Sequence, residues 1–135
     1  MQSAAIPYRV SQTSGVEVLL ITSRTNRRWI IPKGKVAQGM PPHRSAAKEA
    51  MEEAGVIGLI QKVPIAEYVQ TKQTSDGTPQ AIRVRAFPLA VRRELKRWPE
   101  DHLRERRWLP LKDAVKFVDD PAIRIVLKRF AAGFC

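Results

Sequence analysis

The segment from residue 32 to residue 55 constrains this chain most, because it joins a turn-rich loop to a short acidic helix. Prolines and glycines punctuate its first half and favour turns over regular structure. The residues from Ala46 to Ala54 are strong helix formers, and Gly55 follows at the position where helices commonly end. We therefore predict a loop that leads directly into a helix. The turn residues are Pro32, Gly34, Gly39, Pro41 and Pro42.

Three glutamates define one side of this predicted helix. Glu49, Glu52 and Glu53 are spaced i, i+3 and i+4, which at about 100° per residue puts them in one stripe. Their charges repel one another, and the arrangement becomes favourable when a hard divalent cation is held between the oxygens. A solvated acidic face is the ordinary alternative for such a pattern. In a chain with only 13 acidic residues, this cluster directly behind a Pro-Lys-Gly loop favours a functional site.

Strands and helices alternate along the rest of the chain, which predicts one domain with a sheet covered by helices on both faces. Asp76 and Gly77 form a hairpin signal between two of the strands. Asp120 and Pro121 mark the start of the last helix. The predicted strands are 15–22, 29–31, one long interrupted strand over 56–70, 81–91 and 106–109, and the later helices are 111–118 and one that begins at residue 121.

The composition narrows the class of protein further. A total of 24 Lys and Arg against 13 Asp and Glu gives a formal charge of +11, so the surface attracts polyanions. The only cysteine is Cys135, which excludes an intrachain disulfide and a multi-cysteine zinc site and fits a reducing cytoplasm. No apolar run is long enough for a membrane span, and the N-terminus lacks the layout of a signal peptide. We therefore expect a cytoplasmic protein with no membrane partner.

Residues 34–56 resemble the Nudix box, written G-x5-E-x7-R-E-U-x-E-E-x-G-U with U an aliphatic residue. Ala50 is a small stand-in for the first aliphatic residue, Lys48 keeps the charge of the arginine, and Met40 replaces the first glutamate. The similarity continues in residues 28–34, 106–109 and 113–114, where the chain is similar to members that hydrolyse diphosphoinositol or diadenosine polyphosphates. The strict matches are Gly34, Glu49, Glu52, Glu53, Gly55 and Val56.

The resemblance implies an α/β protein with the Nudix fold, an α/β/α sandwich on a mixed β-sheet, as a single domain over residues 1–135. It also implies Mg²⁺-dependent hydrolysis of a diphosphate linkage in a nucleoside or inositol polyphosphate, with Mn²⁺ as a substitute ion. Glu49, Glu53 and the backbone carbonyl of Lys33 would hold the metal. Glu52 would act as the general base or orient the attacking water. Met40 removes a residue that in the family mostly supports the loop.

The same resemblance suggests which residues bind the substrate. Ser23, Arg24 and Arg104 lie where members that act on inositol polyphosphates carry substrate contacts. The Lys33 side chain and Gly34 are placed to approach phosphate, and a plain surface role is the alternative for each basic side chain. We expect a small phosphorylated molecule as partner rather than nucleic acid, and both monomer and homodimer stay open. The excess of 11 positive charges predicts a polyphosphate substrate rather than ADP-ribose.

Two other classes of protein compete with this interpretation. A non-catalytic Nudix domain that binds a phosphorylated ligand would account for Met40 and the high charge, but the three glutamates at the end of the box argue against it. An RNA- or DNA-binding module would also suit the charge. No aromatic-rich recognition motif supports that second alternative.

Overall fold

The computed structural model describes residues 1–133 and shows a mixed sheet of eight strands within them. Cys135 lies outside the described residues. The strands are β1 (Gln2–Ser11), β2 (Gly15–Thr22), β3 (Trp29–Ile30), β4 (Lys33–Lys35), β5 (Val56–Ile60), β6 (Ala66–Gln73), β7 (Pro79–Glu94) and β8 (Arg106–Pro110). The helices are α1 (Pro42–Glu49), α2 (Leu111–Phe117) and α3 (Pro121–Ala132), and a π turn (Ala50–Ala54) extends α1.

Strand β1 lies at the centre of the sheet, although the sequence analysis did not predict it. It pairs with β7 in parallel and with β2 and β4 antiparallel, which confirms a mixed sheet. The first six residues of β1, from Gln2 to Pro7, are buried. The register places Ala4 between Ala86 of β7 and Lys33 of β4, so the short strand β4 is held against the middle of the sheet.

One predicted strand needs correction. The predicted interrupted strand over 56–70 is two separate strands, β5 and β6, which pair with successive parts of β7. The break at Gln61–Ile65 separates them, and Gln61 and Ile65 donate backbone hydrogen bonds to β7 carbonyls at 2.9 Å. The hairpin prediction is confirmed, because Gly77 turns between β6 and β7 with φ of +85°.

Helices cover the sheet on both faces, as predicted. On one face, α3 packs on β6 and α2 packs on β2 and β8, with Ile123, Leu127 and Phe130 of α3 buried in that core. On the other face, Ala46, Ala50 and Ala54 are fully buried beside the sheet, because their small side chains let α1 and the π turn approach closely. None of the helices within residues 1–133 is both long and apolar enough to span a bilayer.

The acidic helix begins earlier than predicted. It starts at Pro42 rather than at Ala46, since proline fits the first helical turn, where its missing N–H is not needed. The prediction that Gly55 ends it is confirmed, with Gly55 in the left-handed region at φ of +68°. The last helix starts as predicted, because the Asp120 side chain accepts a hydrogen bond of 2.9 Å from the Ala122 N–H.

Candidate active site

The π turn changes which glutamates come together. A π turn is wider than an α-helical turn, so it rotates residue i+3 away from residue i while residue i+4 stays on the same side. The Glu49 and Glu53 carboxyl groups are joined by a hydrogen bond. Glu52 forms an ion pair of 3.3 Å with Lys48, and its charge also raises the pKa of Glu49. Glu49 and Glu53 are therefore the members of the predicted stripe that contact each other, while Glu52 contacts Lys48.

Glu53 is the most enclosed member of this pair. Only 6% of the residue is exposed. Burial raises the pKa of Glu53 to about 8, the hydrogen bond and charge of Glu49 raise it too, and the nearby Arg104 cation lowers it. Burial also raises the pKa of Glu49. Two carboxyl groups in this setting hold a shared proton more readily than two negative charges, unless a cation takes the place of that proton.

The predicted loop at Lys33 and Gly34 is instead part of strand β4, which is fitted closely against both carboxyl groups. The Lys33 N–H donates to Glu53 Oε1 at 3.3 Å. A Cβ added to Gly34 would lie 2.5 Å from Glu49 Cδ, so any larger residue would displace the carboxylate. Ser45 Oγ donates to the Lys35 carbonyl at 3.1 Å and ties α1 to the same strand. Gly34, predicted from the box, is thus required because the backbone approaches a carboxylate.

A Trp-Arg clamp, Trp98 with Arg106, holds the other end of the π turn. Trp98 Nε1 donates to the Glu53 carbonyl at 3.0 Å, and Arg106 Nη1 donates to the Ala54 carbonyl at 3.0 Å. The guanidinium lies over the Trp98 ring at 3.9 Å. These donors satisfy carbonyls that the end of a helix leaves without partners. Trp98 carries no signal in the sequence that marks it for this role, and Arg106 was predicted only as part of a strand and of the family resemblance at residues 106–109.

Arg104, which the sequence predicts to bind substrate, lies largely buried beside Glu53, and its contact with substrate stays a prediction. Its side chain is only 7% exposed, with Nη2 lying 3.0 Å from Glu100 Oε1 and 3.6 Å from Glu53 Oε1. Its Nη1 donates to the Thr22 carbonyl at 3.0 Å. Arg104 therefore contacts Glu53 from inside the protein, and it also lines an open cavity together with Trp29 and Trp98.

A cavity of about 250 Å³ lies beside β3 and the start of β4. Lys33 and Ser23 both line it, together with Trp29, whereas Arg24 is exposed and lies outside it. Ser23 Oγ accepts a hydrogen bond from the Arg28 N–H at 3.1 Å, so it also fixes the loop before β3. Lys33 Nζ donates to Gln2 Oε1 at 3.0 Å, and burial lowers its pKa. The structure thus brings two of the predicted substrate contacts, Ser23 and Lys33, to one cavity.

The donor set suits a hard divalent cation. Carboxylate oxygens are the ligands that Mg²⁺ prefers, and Mg²⁺ usually keeps several water ligands beside one or two carboxylates. Within residues 1–133 no group of three or more His, Cys, Asp or Glu side chains is arranged to hold a metal. Glu49 and Glu53 therefore fit such an ion as a pair, and the carbonyl of Lys33 stays a predicted ligand.

Comparisons with known proteins agree on a family. Residues 2–130 match the family model of the NUDIX domain. Nudix hydrolase 12, mitochondrial, of Arabidopsis thaliana is 33% identical over 129 residues, which cover 84% of this chain and 64% of that protein. Diphosphoinositol polyphosphate phosphohydrolase 3-alpha of Mus musculus is 34% identical over 104 residues, which cover 74% of this chain and 58% of that protein.

A solved structure shows the same fold. The crystal structure of a C. elegans Ap4A hydrolase binary complex has a TM-score of 0.72 with this protein at 23% identity, over 98% of this chain and 96% of that chain. The chain spans less than two thirds of the length of the two curated relatives, at 64% and 58%.

Proposed function

Because the chain belongs to the Nudix family, we propose that Glu49 and Glu53 hold a divalent cation, Mg²⁺ with Mn²⁺ as a substitute, and that the site hydrolyses a diphosphate linkage in a phosphorylated small molecule. The observation that carries this proposal is the hydrogen-bonded pair of carboxyl groups behind β4, with Glu53 buried and Glu49 half-buried. A buried pair of like acids is unfavourable on its own and becomes useful when a cation neutralises it.

When bound, the cation supplies charge neutralisation at the diphosphate and makes a bound water easier to deprotonate. To hold the cation, Glu49 and Glu53 would lose to solvent the proton that burial favours, and the two carboxylates would face β4 at Lys33 and Gly34. Arg104 keeps the Glu53 carboxylate in place by its contact of 3.6 Å. The chain thus supplies a preorganised pair of anionic ligands that need not rearrange during the reaction.

Glu52 is our proposed catalytic residue. Its side chain is 29% exposed, so it can reach a water that the enclosed pair cannot, and its present partner is the more exposed Lys48. An exposed ion pair of this kind is weak, about 0–1 kcal/mol. Glu52 can therefore leave Lys48 and accept a proton at Oε1 or orient the attacking water.

For the substrate we propose a dinucleoside polyphosphate or a diphosphoinositol polyphosphate. The formal charge of +11 supports a highly charged anion, and the Ap4A hydrolase and the diphosphoinositol phosphohydrolase named above act on such compounds according to their names. Lys33 lines the cavity that would receive the phosphates, and Trp29 in its wall offers an apolar surface to a base or ring.

A hydrolysis screen tests the proposal. The purified chain is incubated with dinucleoside polyphosphates, diphosphoinositol phosphates, nucleoside triphosphates, nucleotide sugars and ADP-ribose, with Mg²⁺ or with EDTA. We expect turnover of a polyphosphate substrate that depends on the metal. If no substrate is cleaved under any condition while the protein stays folded, the chain is instead a non-catalytic member that binds a phosphorylated ligand. The replacement of the first box glutamate by Met40 would favour that function.

A further inference from the structure

The segment of residues 95–106, which runs from the end of β7 to the first residue of β8, binds the end of the acidic helix through its backbone carbonyls. The end of a helix leaves its last carbonyls without partners inside the helix, so donors from outside decide how that end is held. The carbonyls of Glu52, Glu53, Ala54 and Gly55 accept, in that order, from the Glu100 N–H at 3.0 Å, Trp98 Nε1 at 3.0 Å, Arg106 Nη1 at 3.0 Å and the Leu95 N–H at 2.8 Å.

The Trp-Arg clamp lies directly against the backbone at Gly55. A Cβ added to Gly55 would lie 2.7 Å from both Trp98 Cδ2 and Arg106 Nη1, so no side chain fits between the clamp and the chain. Arg106 Nη2 also donates to the Leu95 carbonyl at 2.6 Å, which fixes the guanidinium to its own segment. The clamp is therefore held from behind and pressed on the π turn in front.

The same segment also contacts the Glu53 side chain. Arg104 Nη2 lies 3.6 Å from Glu53 Oε1, and Glu100 holds Arg104 through contacts of 3.0 Å to Nε and Nη2. Residues 95–106 thus reach Glu53 at two points, its backbone carbonyl through Trp98 and its carboxyl group through Arg104.

This double attachment bears on metal binding because Mg²⁺ is strict about ligand placement. It requires near-ideal octahedral geometry with oxygen ligands at roughly 2.0–2.1 Å. Glu53 belongs to the π turn, an irregular element that local α-helical hydrogen bonds do not fix. The position of the Glu53 carboxylate therefore depends on the partners that hold the backbone of this turn.

We propose that Trp98 is a positioning residue of the candidate metal site, which fixes the Glu53 carboxylate for the cation by donating to the Glu53 carbonyl. Trp98 acts through Glu53 and is not itself a ligand. Arg106 supports it by stacking on the ring and by bonding the next carbonyl, that of Ala54. The inference rests on the proposed function, since it requires a cation at Glu49 and Glu53.

The test variant is Trp98→Phe, which keeps an aromatic ring beneath the Arg106 guanidinium and removes the N–H donor. Trp108→Phe is the matched control, because Trp108 has the same surroundings at another place. Arg9 lies over its ring at 4.0 Å, and its Nε1 donates to Glu94 Oε2 at 2.6 Å rather than to the π turn. Each substitution removes one indole hydrogen bond beside an arginine.

A second pair of variants, Arg106→Lys and Arg9→Lys, tests the other half of the clamp. Lysine keeps the positive charge but lacks the planar fork with which Arg106 bonds the carbonyls of Ala54 and Leu95. Arg9→Lys makes the same change over Trp108. If Trp98→Phe fails to fold, as thermal melting would show, the second pair decides.

Binding of Mn²⁺ alone, measured by electron paramagnetic resonance without substrate, is the first readout. We expect Trp98→Phe to bind Mn²⁺ about 10-fold more weakly than the wild type, the lower end of the range for groups that orient metal ligands. Arg106→Lys should show a loss of similar size, and both controls should stay within about 2-fold. A purely structural role would lower the melting temperature of Trp98→Phe and leave its Mn²⁺ affinity unchanged.

Hydrolysis kinetics are the second readout and separate this inference from the proposed function. Trp98→Phe should raise the Mg²⁺ concentration for half-maximal rate about 10-fold, with the substrate KM at saturating Mg²⁺ within about 2-fold. Wild-type Mn²⁺ affinity in both clamp variants, or an equal loss in the controls, would overturn the role of Trp98. Weaker Mn²⁺ binding by Trp98→Phe, with no hydrolysis by the wild type, would keep that role and reject the catalytic function. No Mn²⁺ binding by the wild type would reject both.

Discussion

Replacing Arg104 by methionine removes a buried cation while keeping a side chain of similar length. Its guanidinium contacts Glu100, Glu53 and the Thr22 carbonyl, and only 7% of the side chain is exposed. Removing one partner of a buried ion pair costs about 3–5 kcal/mol. The Glu100 side chain is 25% exposed, so water can replace part of the contact that Glu100 loses with Arg104. Glu53, with a pKa of about 8, is mostly protonated at neutral pH. Because of both facts, we expect the free energy of unfolding to fall by about 3 kcal/mol, the lower end of that range.

Urea denaturation at pH 7 measures this loss directly, and thermal melting should show a decrease of roughly 10 °C for a domain of this size. Arg27→Met is the matched control, because Arg27 contacts Glu105 at 3.0 Å with both side chains more than half exposed. Such a pair contributes about 0–1 kcal/mol. If Arg104→Met and Arg27→Met destabilise the protein equally, Arg104 does not support Glu53 in the way described.

Three further predictions concern the carboxyl pair and its loop. Burial raises the pKa of Glu53 from 4.5 to about 8, so between these pH values the metal-free folded protein holds a proton that the unfolded chain has lost. The free energy of unfolding should therefore fall as pH rises from about 4.5 to about 8. Glu53→Gln should flatten that decline in urea denaturation with EDTA, and an unchanged slope would reject the raised pKa. Gly34→Ala should reduce turnover by at least about 10-fold with little change in melting temperature, because its Cβ would displace the Glu49 carboxylate; full activity would show that the close approach is not needed. Met40→Glu should change turnover by less than about 10-fold, since that position supports the loop, and activity gained only in this variant would mark a degenerate member.

Much of the fold was predictable because its signals are local. The apolar run of β2, the turn at Asp76 and Gly77 and the cap at Asp120 each depend on neighbouring residues, and the structure confirms all three. Strand β1 was missed because it has no such signal. Pro7 stands inside it, and proline is uncommon in central strands. It is accommodated between the part of β1 that pairs with β4 and the part that pairs with β2.

The candidate site was predictable in its residue types but not in its geometry. The spacing of Glu49 and Glu53 placed them together, whereas the π turn that follows α1 cannot be read from a pattern that assumes α-helical periodicity. The burial of Arg104 depends on contacts with Thr22 and Glu53 that are distant in sequence. No local signal distinguishes such an arginine from an exposed one.

The central claim is that the Glu49 and Glu53 pair holds the cation used in diphosphate hydrolysis. The most direct test is the rate of diadenosine tetraphosphate or diphosphoinositol phosphate hydrolysis as Mg²⁺ is titrated, with wild type and Glu53→Gln side by side. We expect a saturable dependence on Mg²⁺ in the wild type, with a rate at least about 10-fold lower in the variant at limiting Mg²⁺. Equal rates in the two proteins, or a wild-type rate that Mg²⁺ does not affect, would contradict the claim.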